Sequence, residues 1–179
     1  PVRRMIEPEL ERLGFVVVQG GAGAGGAVPD TPLQPGASVA VQLVRGDVNI
    51  AATGTGTLVR GEEVLSFADC GVLPDPSSDE LVHVASATAV NHQLLSRQEP
   101  RVAFLSFSTH GSAQHDKVAK MQRAHDTFRA AHPNVLADGE LQFDAAWVPA
   151  VGAKKAPDSP VAGHANVFVF PDPDSGHTA

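Results

Sequence analysis

Cys70 is the only cysteine in the chain, so no internal disulfide can form. A reducing compartment, the cytoplasm, is the expected setting. No run of residues approaches the roughly 20 apolar positions of a membrane span, and the arginines at positions 3 and 4 lead into no apolar leader segment. An initiator methionine is also missing; the chain opens at Pro1, which creates an expectation of further sequence upstream. Basic residues are scarce, 13 Lys and Arg against 20 Asp and Glu, for a formal net charge of -7. A surface of that sign has no general attraction for nucleic acid or anionic lipid, so neither is expected as a partner.

Several chemical signatures are missing as well. The glycine-rich run Gln19 to Gly26 follows a strand-like Phe15-Val16-Val17-Val18, but no Lys-Ser or Lys-Thr comes after it. Val28-Pro29-Asp30-Thr31-Pro32 opens no helix that would present its N-terminus to a phosphate, so the run reads as a linker or wide hairpin loop. There is no Gly-x-Ser-x-Gly elbow, and His110 and His115 lack zinc-ligand spacing. Asp172-Pro173-Asp174-Ser175-Gly176 starts like a calcium loop without its closing glutamate and reads as a turn. No metal and no bound cofactor are expected.

What the chain does have is apolar content, 42% of 179 residues, enough for one medium core or two small ones. Residues 1–13 carry a short helical pattern. Strand patterns follow at Phe15–Val18, Ser38–Val44, Val48–Thr53, Thr57–Val59 and Val64–Phe67, separated by turn residues such as Pro35-Gly36 and Arg45-Gly46-Asp47, the pattern of a β-meander. Beyond Cys70 the composition changes: every histidine and every lysine lies there, while the glycine-dense stretches lie before it. A capping box, Ser77 with Glu80, opens a helix that places Leu81, Val84, Ala85, Thr88, His92 and Leu95 on one face. Arg101–Phe107 is a nearly continuous apolar run, as in a strand covered on both faces. A second helix, Gln114–Ala131, aligns Val118, Met121, His125 and Phe128 and stops at His132-Pro133. A short strand, Val135–Ala137, a helical or irregular segment over Phe143–Ala153 and a buried strand at Ala165–Phe170 complete the series. This alternation predicts an α/β fold, a mostly parallel sheet with helices on both faces, preceded by a β-rich segment. Residues 1–63 and 64–179 are the expected division, with Val64–Phe67 shared between the halves.

The wording of the second half resembles the phosphate acetyltransferases. The resemblance covers about Val64 to Asp174 and rests on Phe67-Ala68-Asp69-Cys70 with Pro74-Asp75-Pro76, on Leu105-Ser106-Phe107-Ser108-Thr109 with Gly111-Ser112-Ala113, on Asp138-Gly139-Glu140-Leu141-Gln142, and on Lys154 through Gly163. It implies a partial domain of the isocitrate-dehydrogenase-like kind, substrates held in a cleft, acetyl phosphate and coenzyme A as those substrates, and a possible homo-oligomer. His110 and His164 stand where that family commonly has lysine, and Ala150 where it commonly has glutamate. The family's Asn-Asp-Leu-Ser-Arg-Gly segment, which carries its catalytic Ser and Arg, would fall beyond Ala179, so the chain is expected to be incomplete and inactive alone. Pro35-Gly36-Ala37-Ser38-Val39-Ala40-Val41-Gln42-Leu43-Val44-Arg45-Gly46-Asp47 and Ala51-Ala52-Thr53-Gly54-Thr55, within about residues 10–67, resemble a piece of the stage-four sporulation serine peptidase family, with Ala68-Asp69-Cys70 where that family has Gly-His-Pro. The chain thus looks chimeric, and a non-catalytic binding or structural fragment is the alternative; a serine peptidase relative is a more distant one.

Three strand-end loops are the candidate site: Asp69-Cys70, Ser106 to Ser112, and Asp138-Gly139-Glu140. In a parallel sheet such ends face one crevice. Ser106, Ser108, Thr109 and the amides near Gly111 are candidate phosphate donors, against ordinary turn and capping chemistry. Asp138 and Glu140 complete that set, and Lys154 and Lys155 are candidates for the phosphates of coenzyme A, against a solvated corner.

Overall fold

The computed structural model describes residues 17–19, 39–42, 51–54, 58–60 and 63–178. The helical pattern of residues 1–13, the glycine-rich run and the turns at 35–36 and 45–47 lie outside the described residues.

The expected meander divides between two sheets. β1 (Val17–Gln19), β2 (Val39–Gln42) and β3 (Ala51–Gly54) form an antiparallel sheet in that order. β4 (Leu58–Arg60) instead pairs antiparallel with β5 (Glu63–Ala68), Val59 opposite Val64, as the edge of a second sheet. That sheet runs β4-β5-β8-β6-β7, with β6 at Arg101–Leu105, β7 at Leu136–Leu141 and β8 at Val167–Val169. β5, β8, β6 and β7 are parallel. The strand that comes last in sequence is inserted between β5 and β6, Phe168 standing between Phe67 and Ala103.

Side chains alternate along these strands with period two. Val102, Phe104, Val167 and Val169 point to one face, where they pack with Leu81, Ala85, Met121 and Phe128. Those four residues lie on α1 (Ser78–Ser96) and α2 (Asp116–Ala131), which cover that face. Ala103, Leu105 and Phe168 point to the other, with Phe67, Phe143 and Trp147 packed on them. The covering there comes from α3 (Phe143–Trp147), α4 (Pro149–Lys155) and the loop that follows. Phe168 lies 5.2 Å, ring to ring, from both Phe67 and Phe143. Burying such a ring is worth about 1.5–3 kcal/mol.

The helix starts are written in side chains. At α1 the Ser77 hydroxyl accepts the Glu80 N–H and the Glu80 carboxylate accepts the Ser77 N–H, the capping box expected. Leu81, Ala85, Thr88 and His92 are buried as the spacing requires. α1 ends with Arg97 in the left-handed conformation, three residues before Pro100. α2 begins two residues later than the pattern predicts, because His115 serves as its N-cap and its Nδ1 accepts the Lys117 N–H at 3.1 Å.

Two expectations are corrected. β7 does not stop at Ala137: its ladder with β6 continues through Asp138 and Gly139, shifts register, and resumes at Leu141. Asp138-Gly139-Glu140 is therefore strand, not a loop. Gly139 permits this, since a Cβ there would lie 2.6 Å from that of Phe104. The turn expected from Asp172 is a short helix, α5 (Pro173–Thr178), whose start Asp172 caps by accepting the Ser175 N–H and hydroxyl. Burial pushes the Asp172 carboxyl up, but these Ser175 bonds, with Lys117 and Lys120 nearby, outweigh it and hold its pKa below the ordinary value.

Candidate functional site

The loop leaving β6 folds against the C-terminal half of β7, and carboxylates fasten it there. Glu140, 2% exposed, accepts the Ser108 hydroxyl at 2.7 Å and the Gly111 N–H at 2.8 Å on one oxygen. Its other oxygen accepts the Gln122 side-chain amide at 2.8 Å. Burial alone raises the Glu140 pKa, but these donors outweigh it and the carboxyl stays below its ordinary range. The main chain adds a further tie, the His110 N–H to the Glu140 carbonyl at 3.1 Å. Ser108, fully buried, also accepts the Ala113 N–H at 3.0 Å.

A second carboxylate holds the tip of the loop. His110 takes a left-handed conformation, φ 46°, followed by Gly111 at φ 80°. Its Nε2 stands 3.1 and 3.2 Å from the two Asp138 oxygens. Asp138 is nine-tenths buried and also accepts the Gly139 N–H at 2.8 Å, while the His110 side chain stays 38% exposed.

Polar side chains continue outward. Thr109 Oγ1 accepts the Gln142 N–H at 2.9 Å and donates to the Gln142 side-chain oxygen at 3.3 Å. That oxygen also accepts from Lys155 Nζ at 2.9 Å, and Lys155 pairs with Asp144 at 2.9 Å. The hydrogen bond and charge of Lys155 hold the Asp144 carboxyl below its ordinary pKa. The pair is half in solvent and worth under about 1 kcal/mol.

The structure thus gathers Ser108, Thr109, Gly111, Asp138, Glu140 and Lys155 of the expected set. Ser106 is half-buried at the end of β6, its N–H given to the Leu141 carbonyl at 2.8 Å; Lys154 is exposed. The Asp69-Cys70 loop does not join them: the buried Asp69 carboxylate accepts the N–H groups of Gly71, Val72 and Leu73 within its own turn. Lys120 closes that side of the sheet, donating to the carbonyls of Pro76 at 3.0 Å and Pro171 at 2.9 Å. Gln122 was not among the expected residues. Its signal was there, since four residues after Val118 places it on the inward face of α2.

A family model described as phosphate acetyl/butaryl transferase matches residues 36–179. The chain belongs to this family. A phosphate acetyltransferase from Paracoccus denitrificans is 47% identical over 124 residues, 69% of this chain and 38% of its own length. One from Clostridium acetobutylicum is 51% identical over 118 residues, 65% of this chain and 35% of its own. Among solved structures, the EutD phosphotransacetylase from Staphylococcus aureus matches with a TM-score of 0.62 and 40% identity, over 67% of this chain and 37% of that one. The chain therefore spans little more than a third of the length of these relatives. The transferase match begins at residue 36 and so takes in much of the segment that resembles the sporulation peptidases. Among the described residues no helix is long and apolar enough to cross a membrane.

Proposed function

We propose that this chain serves acetyl transfer between acetyl phosphate and coenzyme A in the bacterial cytoplasm, as one wall of a substrate cleft. The observation that carries the reading is the 47% identity to a phosphate acetyltransferase over a stretch that holds the loop clamped by Glu140 and Asp138. Acyl transfer to a thiol needs a base for the thiol and donors for charge developing on the phosphate and carbonyl oxygens. This part of the cleft offers His110 and Ser112 from the loop after β6 and Lys155 from the end of α4, with Lys154 nearby for the coenzyme A phosphates. Ser106 and Thr109 border the same edge. Spanning little more than a third of its relatives, the 179-residue chain is expected to bind acetyl phosphate or coenzyme A without turning them over, and to work within a larger homo-oligomeric assembly.

The second reading, a non-catalytic structural segment that holds neither substrate, draws on one feature: the Ser108 hydroxyl and Gly111 N–H, natural phosphate donors, are already given to Glu140. A separate origin for residues 1–63 belongs with that reading. Calorimetric titration of the purified chain with coenzyme A and with acetyl phosphate, beside an assay for thioester formation, tests both. Saturable binding of either substrate supports the transferase reading; binding of neither overturns it, and turnover by the bare chain overturns the claim that it is only part of a cleft.

A further inference from the structure

We infer that the side-chain amide of Gln142, with Lys155 beside it, is a docking point for an uncharged carbonyl oxygen, of the kind an amide-linked chain carries. The inference rests on the proposed transferase reading, within which it gives this corner to the amide-bearing arm of coenzyme A and not to a phosphate.

The neighbours of Gln142 fix which way its amide points. The residue follows β7 and is the N-cap of α3, yet its side chain makes no capping bond. Its oxygen instead takes two donors, the Thr109 hydroxyl at 3.3 Å and the Lys155 ammonium at 2.9 Å. An ammonium can only donate, so the atom it meets is the amide oxygen, and the NH2 group is turned away from it. That NH2 group has no partner among the described residues. The described side-chain atoms that are buried without a partner are the Nε2 atoms of His92 and His125, so the Gln142 NH2 group reaches solvent. It does so at the C-terminal end of a parallel strand, where α/β folds hold their ligands.

Charge decides what these donors suit. Lys155 gives one N–H to Gln142 and one to Asp144 at 2.9 Å, which leaves a third for a ligand. The Asp144 carboxylate cancels the Lys155 charge, so the corner offers donors without a net positive field. A phosphate dianion needs such a field to offset its desolvation, and here it meets the Asp144 carboxylate as well. A neutral carbonyl oxygen needs only the hydrogen bonds. Because Thr109 and Lys155 already hold the Gln142 side chain, little rotamer freedom is lost when a ligand arrives.

The test separates the two halves of coenzyme A: pantetheine, which has amide carbonyls and no phosphate, and ADP, which has phosphates and no amide. Each is titrated calorimetrically into the full chain. Pantetheine is expected to bind with an affinity that stays flat between about 50 and 500 mM salt, since no ligand charge is involved. Gln142→Glu keeps the acceptor for Thr109 and Lys155 but replaces the NH2 group by a second acceptor; it should weaken pantetheine about tenfold while Tm is not lowered. Gln142→Met, which adds no charge, should weaken pantetheine by about threefold to tenfold and leave ADP binding as in the native chain. Pantetheine that does not bind, binds Gln142→Glu as well as the native chain, or weakens steeply with salt overturns the inference. An equal loss of ADP and pantetheine in Gln142→Met overturns it too. Coenzyme A or acetyl phosphate bound by the native chain in such a case leaves the transferase reading standing; binding of neither removes both.

Discussion

Glu140 and His92 are both buried and ionisable, and the fold treats them oppositely. Glu140 is supplied with three donors, and replacing it by glutamine makes all three charge-assisted hydrogen bonds neutral, with the Gln122 amide turned over to accept. We expect Glu140→Gln to lower stability by roughly 1–3 kcal/mol in urea unfolding at neutral pH, the scale of hydrogen bonds to a charged group, and Gln122→Glu in the same chain to restore part of it by returning a carboxylate to the pair. Because the folded Glu140 pKa is depressed, its contribution is present above the ordinary carboxyl range and is lost as pH falls through the folded value. His92, 1% exposed, shares a hydrogen bond of 2.9 Å with Ser66, while its Nε2 is buried without a partner. Burial first, and Arg101 second, push its pKa down to about 4. The unfolded chain therefore takes up this proton first, and stability should fall from about pH 6.5 to 4, by about 3 kcal/mol in all. His92→Gln should flatten that part of the pH–stability curve; an unchanged slope would remove His92 as its cause.

At the scale of elements, close approach of backbones sets the geometry around the site. Gly139 lets β7 run beside Phe104, where an added Cβ would lie 2.6 Å from the Phe104 Cβ. Gly152 of α4 lies against the turn after it, where an added Cβ would stand 2.6 Å from the Gly163 nitrogen and 2.7 Å from the Ala162 carbonyl carbon. Alanine at either position should cost about 1–3 kcal/mol by overpacking, read as a lowered Tm, whereas Gly71→Ala, with nothing within 4 Å, should change it little. Gly139→Ala should also weaken ligand binding, since it displaces Asp138 and Glu140 together. The helix faces carrying Leu81, Ala85 and His92, or Val118, Met121 and Phe128, were legible beforehand because a 3.6-residue period maps directly onto burial. The length of β7 was not: Asp-Gly-Glu is a turn word in isolation, and only the β6 ladder makes it strand.

For the whole molecule, β8 between β5 and β6 ties the last strand to the first of the parallel set, so this centre should open only with global unfolding. Hydrogen exchange is expected to be slowest at amides of β6 and β8, and fast in α5, which buries no residue. Comparable protection in α5 and β8 would contradict that order.

The sequence by itself determined the class of the fold. Alternating apolar strands and amphipathic helices after Cys70 demand a parallel sheet covered on both faces, and the words around Ser108 and Glu140 carry the transferase kinship. Local period and local wording survive in one dimension because each depends on neighbours within a few residues. Only the tertiary structure decided that β8 lies between β5 and β6, that β4 leaves the first sheet, and that Glu140 rather than a ligand takes the donors of Ser108 and Gly111. The placing of β8 and the clamp on Ser108 and Gly111 are contacts between residues about 30 to 100 positions apart, which no local pattern of period or wording can specify before the chain has closed on itself.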